Sequence, residues 1–339
     1  MGEFDLIERF FKQKAAAALA AQAPSASSSV ALGIGDDCAL LQPAPGMQLA
    51  VSTDMLVEGR HFFADVDPAA LGHKALAVNL SDLAAMGAEP LAFTLALALP
   101  PARAADAPWL DAFSDGLLTL ASQHACPLVG GDTTAGPLAI SITILGQVPA
   151  GQALRRAGAQ AGDDLWVSGT LGDARLALGA LRGEWALPAS ALALARARLE
   201  RPTPRLALGR SLRGIATSAI DISDGLLGDV SHILKASAVG ALIDVDVASS
   251  LIAANALFAP AAAPFDARLR RTLVLAGGDD YELAFTAPPG ARAAVEHAAA
   301  QAGTPVTRIG RITAAPGLRL QDAAGQPVAG AYRSFDHFA

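Results

Sequence analysis

The residues best suited to chemistry in this chain are aspartates that follow apolar runs. They are Asp36 and Asp37 in "LGIGDDCALL", Asp54 in "AVSTD", Asp132 in "LVGGD", Asp221 and Asp224 in "AIDISDG", and Asp279 and Asp280 in "LAGGDDYEL". Any one of them has an ordinary structural reading, because Asp bonds backbone amides in turns and at helix starts; Asp224 before "GLL" fits a cap. Asp82 in "NLSDL" is harder to place that way. It falls near the middle of a helical pattern, with Asn79 one turn earlier on the same face. An ionised carboxylate buried there is costly unless it is paired or holds a cation. Lysine is scarce, with only Lys12, Lys14, Lys74 and Lys235, so ammonium partners cannot serve most of these acids. A cluster of divalent metal ions is the simplest compensation. All-oxygen donors, with no His or Cys spacing of a zinc site, point to Mg²⁺ or Mn²⁺.

Mg²⁺ held by a few carboxylates fills its shell with water and substrate phosphates, so a phosphate site is expected. It is not one of the glycine-loop kinds: the chain has no G-x-x-x-x-G-K-[ST], no kinase glycine loop and no G-x-G-x-x-G. Metals would bring phosphates to the acids, and the amides of Gly130 and Gly131 would complete the cradle. Arg156 in "ALRRAG" reads equally as a nucleotide-phosphate contact and as a solvated linker arginine.

The elements that must position these residues follow an α/β pattern. The chain has 339 residues, of which 52% are hydrophobic and 17% charged, enough for two domains with their own cores. The mean hydropathy of +0.38 raises the question of a membrane, but no apolar run reaches the ~18 residues of a spanning helix. The first residues, "MGEFDLIERFFKQK", are acidic and amphipathic and do not resemble a signal peptide, so a cytoplasmic protein without membrane contact is expected. The net charge of −7 argues against nucleic acid as a partner. Cys38 and Cys126 read as small core residues. In the first half a helix is followed by the Pro/Ser-rich connection at 22–29 and a strand over 48–53 ending at Asp54. A helix then runs from Pro68, capped by Asp67, to Gly87. Strands at 91–99 and 138–148 flank a helix over 109–124, and 126–132 is a short apolar run ending in a Gly-Gly-Asp turn. The pattern loosens around 149–163, which places the boundary between domains 1–150 and 151–339. The second half alternates strands at 164–168, 217–223, 241–246, 281–287 and 305–313 with helices. Sheets of mixed rather than purely parallel strands are expected in both halves.

Eight blocks, "GEFDLIERFF", "GIGDDCALL", "STDMLVEGRHF", "KALAVNLSDLAAMGAEP", "LVGGDTT", "AIDISDGL", "GGDDYEL" and "FDHF", together and in this order resemble the thiamine-monophosphate kinases. These are ATP-using relatives of aminoimidazole ribonucleotide synthetase and selenophosphate synthetase. The resemblance spans nearly the whole chain. It implies two α/β domains, the N-terminal one binding ATP and metal and pairing in a homodimer through a shared β-barrel. It implies transfer of the ATP γ-phosphoryl group to thiamine monophosphate. Residue by residue, Asp37, Ser52, Thr53, Asp54, Asp82, Asp132, Asp221 and Asp224 match metal ligands. Gly131, Asp132, Arg156 and Ser223 match nucleotide contacts, and His61, Asp279 and Phe335 match the acceptor side. Asp279 stands where Glu is common in the family, and Phe335 where Tyr is. Asp36 is expected to orient the turn or a metal-bound water. No covalent nucleophile is expected.

Two other readings remain at this level. One is a synthetase of the same superfamily; the selenophosphate type is disfavoured by the lack of a Cys or glycine-rich loop in the first 30 residues. The other is a non-catalytic nucleotide- or Ca²⁺-binding module, against which stands the separate acidic and aromatic set near the C-terminus.

Overall fold

A computed structural model describes residues 2–20, 29–35, 37–254, 266–330, 332, 334 and 335. The chain divides into two compact units, one of residues 1–83 and 88–151, the other of residues 84–87 and 152–339.

The first unit begins with α1 (Glu3–Leu6), a π-helical turn (Ile7–Lys12) and α2 (Gln13–Ala20), followed by the short strands β1 (Val30–Leu32) and β2 (Leu40–Leu41). Then come β3 (Met47–Val57), α3 (Pro68–Ala85), β4 (Glu89–Leu99), α4 (Pro101–Ala104), α5 (Ala107–Gln123), β5 (Leu128–Ala135) and β6 (Ala139–Pro149). The main sheet has the order β3-β6-β4-β5. β6 is antiparallel to both β3 and β4, and β5 runs parallel to β4, as the crossover through α5 requires. α3 starts where Pro68 and Asp67 predict: the Ala70 N–H donates to Asp67 Oδ1 at 2.8 Å. It is apolar around nearly its whole circumference and accordingly buried. Gly72 and Gly116 bring α3 and α5 close, since a Cβ on either would collide with the carbonyl of Phe113 or Ala69. The core includes Leu76, Leu80, Phe93 and Phe113, none exposed, each contributing about 1.5–3 kcal/mol by burial.

The second unit contains β7 (Asp164–Ser168), α6 (Asp173–Leu181), α7 (Ala189–Glu200), α8 (Leu206–Ser211), β8 (Ser218–Asp221), α9 (Leu226–Ser237), β9 (Gly240–Asp244) and α10 (Val245–Ser249). It continues with α11 (Ala267–Ala276), β10 (Leu283–Ala287), α12 (Arg292–Gln301), β11 (Val306–Thr313) and β12 (Gly317–Gln321). Its sheet has the order β12-β9-β11-β7-β10-β8, antiparallel except for the parallel pair of β9 with β12. β7, β8 and β10 are buried along their length, which explains their continuous apolar runs.

The expected mixed α/β architecture is thus present in both units, with four local corrections. β3 does not end at Asp54 but runs to Val57, because its ladder with β6 continues to the Val57–Ala139 pair. "GGD" is not a turn: Gly131 and Asp132 lie inside β5, paired with Leu95 and Ala96 of β4. Cys126 is a core residue, whose thiol burial pushes up in pKa, but Cys38 is exposed. β1 and β12 have no counterpart in the sequence reading. Among the described residues the sheet of the first unit is open, with β3 at one edge. Also among them, no helix is long and apolar enough to cross a membrane.

Candidate active site

In the first unit the period-two alternation of β3 sorts its polar residues by face. Ser52 and Asp54 are half-buried on one side, while Thr53 is exposed on the other with Leu49, Val51 and Met55. α3 meets the inner face with Asn79 and Asp82. Ser52 Oγ donates to Asp82 Oδ2 in a short hydrogen bond. The Asp54 N–H donates to Asn79 Oδ1 at 3.2 Å, and Asn79 Nδ2 donates to Ala75 O at 3.0 Å. Asn79 therefore locks strand to helix, and Ser52, Asp54 and Asp82 are brought together. Thr53 is not among them: its hydroxyl pairs with that of Thr143 at 2.8 Å.

Asp37, Gly131 and Asp132 meet at a second place, a cavity of about 140 Å³ that Phe11, Cys38 and Leu128 also line. Gly131 sits at φ +151°, and a Cβ there would strike the Leu95 backbone. Only glycine lets β5 lie this close to β4 and leaves its backbone facing the cavity. His61 is held by a turn in which its Nδ1 accepts the Val57 N–H at 2.9 Å, which makes Nε2 the protonated nitrogen of the neutral ring. Asp36 lies outside the described residues.

The second unit carries Arg156, Asp221, Ser223, Asp224, Asp279 and Phe335. Arg156 is exposed, and its carbonyl accepts from Ser237 Oγ at 3.2 Å. Asp221 ends β8 and is buried. The following turn does not use Asp224 as the helix cap. Gly225 occupies the cap position of α9 without a side chain to offer. The amides of Ser223, Asp224 and Gly225 donate instead to Oδ2 of Asp229, at 3.0, 3.1 and 3.1 Å. Burial, then the nearby Asp224 charge, raise the Asp229 carboxyl to about 7 against the three amides that lower it. Sequence reasoning missed Asp229; the signal was an acid in the first turn of a helix whose cap residue is glycine.

"GGDDYEL" splits by backbone conformation ahead of β10. Asp279 and Tyr281 both take positive φ, +65° and +50°, and their N–H groups donate to Ser223 O and Ile222 O, each at 2.8 Å. Tyr281 OH donates to Asp279 Oδ1 at 3.3 Å. Strained backbone of this kind persists only where the surroundings impose it. Asp280 and Glu282 point the other way and are buried. Asp280 Oδ1 accepts the Gly172 N–H at 2.9 Å, and burial raises its carboxyl well above the usual range. Glu282 is gripped by Arg198 at 2.6 Å and Arg205 at 2.5 Å and by Ser168 Oγ at 2.5 Å. Arginine thus compensates acids for which the lysine count alone left no partner. The Phe335 N–H donates to Asp224 O at 3.0 Å, and its side chain is exposed. Asp336 and the rest of "FDHF" lie outside the described residues.

Among the described residues no group of three or more His, Cys, Asp or Glu is disposed to hold a metal ion. The donors available are carboxylates in ones and twos beside hydroxyls, an all-oxygen set. That set fits Mg²⁺, which keeps several waters and takes one or two carboxylates together with substrate phosphates.

Comparison with known proteins finds relatives along nearly the whole chain. Residues 35–148 match the family model "AIR synthase related protein, N-terminal domain", and residues 160–323 its C-terminal counterpart. The chain is 46% identical over 349 aligned residues to the thiamine-monophosphate kinase of Salmonella typhimurium, covering 100% of this chain and 98% of that one. The crystal structure of the thiamine-monophosphate kinase from Stenotrophomonas maltophilia superposes with a TM-score of 0.82 at 44% identity, over 95% of this chain and 98% of that one. A structure of AaThiL complexed with AMPPCP and TMP superposes at 0.70 with 28% identity, over 87% and 89% of the two chains.

Proposed function

The chain belongs to the AIR synthase related family, and within it to the thiamine-monophosphate kinases; we propose that it transfers the γ-phosphoryl group of ATP directly to thiamine monophosphate, giving thiamine diphosphate and ADP. The observation that carries this reading is the relative that holds AMPPCP, an ATP analogue, together with TMP. A ternary complex of both substrates is what direct transfer needs.

We assign Mg²⁺ binding to Asp37, Ser52, Asp54, Asp82 and Asp132 in the first unit and to Asp221 and Asp224 in the second. Thr53 joins them only through its main chain, because its hydroxyl is on the other face of β3. Bound Mg²⁺ would neutralise the charge of two polyanions that otherwise repel and of the group in flight. The chain's own part is to orient. Asn79 fixes Asp54 against α3, Gly131 opens its backbone to phosphate oxygens, and Arg156 and Ser223 contact the nucleotide. Asp279 and Phe335 present a carboxylate and an aromatic face to the cationic thiazolium, with His61 on the same substrate. The acceptor oxygen is already anionic at neutral pH, so no strong general base is required, and aspartates engaged with cations are poor nucleophiles. Pairing of the first unit in a homodimer finds support in β3: Leu49, Val51 and Met55, each more than half exposed, form an apolar stripe on an edge strand.

The test is ADP release with and without thiamine monophosphate at millimolar Mg²⁺. ADP should appear only with the acceptor, and Asp82→Asn should abolish it while the protein stays folded. Equal ADP release in the absence of acceptor, or γ-label trapped on the protein in amounts matching active sites, would sink direct transfer.

A further inference from the structure

We propose that Asp229 is a positioning residue: it sets the turn 223–225 and through it ties the metal and nucleotide residues of the second unit to its acceptor residues. The meaning of those residues rests on the kinase assignment above; the wiring is geometric.

Asp229 is 4% exposed, and its Oδ2 alone receives the N–H groups of Ser223, Asp224 and Gly225. Three consecutive amides can converge on one oxygen only if the turn curls around it, and Gly225 at φ +119° supplies the bend that a side chain would resist. With its amides turned inward, the segment offers its carbonyls elsewhere. Ile222 O accepts from Tyr281 N at 2.8 Å, Ser223 O from Asp279 N at 2.8 Å, and Asp224 O from Phe335 N at 3.0 Å. One short stretch of chain therefore has a buried carboxylate on one side and the backbone of both acceptor residues on the other. Asp279 has its left-handed conformation at one of these junctions, so a shift of the turn is passed on to its carboxylate.

The arrangement also decides what the turn ahead of α9 does. Open amides in such a turn attract anions, and here those of Ser223, Asp224 and Gly225 are taken by Asp229, so approach to this turn is left to the side chains of Ser223 and Asp224. Asp229 touches neither substrate; it acts through the turn.

The experiment is a pair of equilibrium titrations on the full chain, one with Mg²⁺ and a non-hydrolysable ATP analogue, the other with thiamine monophosphate, for wild type, Asp229→Asn and Asp229→Ala. Asn keeps an acceptor oxygen without the charge, whereas Ala leaves three amides without a partner. Both dissociation constants should rise together, in the order wild type, Asn, Ala, by about threefold for Asn and about tenfold or more for Ala. Melting temperatures should stay above the assay temperature. A purely structural residue would lower the melting temperature and leave both constants of the folded protein alone, which overturns the proposal. So does a change in nucleotide affinity with unchanged acceptor affinity. If the Ala variant does not fold, Asp229→Asn decides by the same criteria, wild-type constants overturning it. Neither titration needs turnover, so a wild type that binds both ligands but forms no ADP sinks the kinase assignment and not this one.

Discussion

At the scale of single residues, the division of labour within "GGDDYEL" shows how similar side chains come to different tasks. Asp279 and Asp280 are neighbours of one type, yet one sits in a strained loop beside the Ser223 turn and the other is buried with a single amide donor on Oδ1. Backbone conformation, not side-chain chemistry, separates them: Asp279 takes a positive φ of +65° in the loop ahead of β10. Phe335 is likewise set by its backbone bond to Asp224 while its ring stays exposed. Phe335→Ala should therefore raise KM for thiamine monophosphate by about fivefold or more, the value of a cation–π contact of ~1 kcal/mol, and leave KM for ATP nearly unchanged. Steady-state kinetics in both substrates check this. An equal rise for both would remove Phe335 from the acceptor side.

At the scale of elements, ion pairs to a buried carboxylate tie the sheet of the second unit to its neighbours. Asp164, at the start of β7, bonds to Arg292 of α12 at 2.6 Å and to Arg308 of β11 at 3.2 Å. It thereby joins three elements. The Arg292 hydrogen bond, with help from Arg308 and against a burial cost, holds its carboxyl below the ordinary aspartate range. A depressed folded pKa means that the unfolded chain binds the proton more readily. The contribution is therefore complete above the usual Asp value of about 3.9 and is lost as pH falls below it. Both arginines are about half exposed, so solvent reduces the size of the effect. Asp164→Asn should lower the melting temperature at pH 7, and its gap to the wild type should close below about pH 4. A gap of constant size between pH 7 and pH 3 would show that Asp164 acts by packing alone.

At the scale of the whole molecule, the open sheet of the first unit presents a row of exposed apolar side chains, Leu49, Val51 and Met55 on β3. An edge strand of this length with an apolar outer face is a liability in a monomer. Covering it with the same strand of a second copy is the simplest remedy. Wild type should sediment as a dimer at micromolar concentration. Val51→Asp, which places a charge in the middle of the stripe, should shift it to monomer with the fold of each unit intact by circular dichroism. A monomeric wild type, or a variant as dimeric as the wild type, would remove β3 from any interface.

Local sequence determined a great deal here. Pro68 after Asp67 located the start of α3, and the apolar runs at 91–99 and 138–148 are β4 and β6. These features are legible because capping, periodicity and turn chemistry act over a few residues. What needed the fold was which residues meet. That Ser52 bonds Asp82 thirty positions away, and that Thr53 is turned from both, follows from the register of β3 against β6 and the packing of α3 beneath it. That "GGD" is strand and not turn follows from its pairing with β4, an energy no local pattern contains. Asp229 looked like any acid in the first turn of a helix. Its role exists only because the bend at Gly225 aims the amides of Ser223, Asp224 and Gly225 at its carboxylate and the loops carrying Asp279 and Phe335 come back, fifty and more residues later, to bond the carbonyls of the same turn.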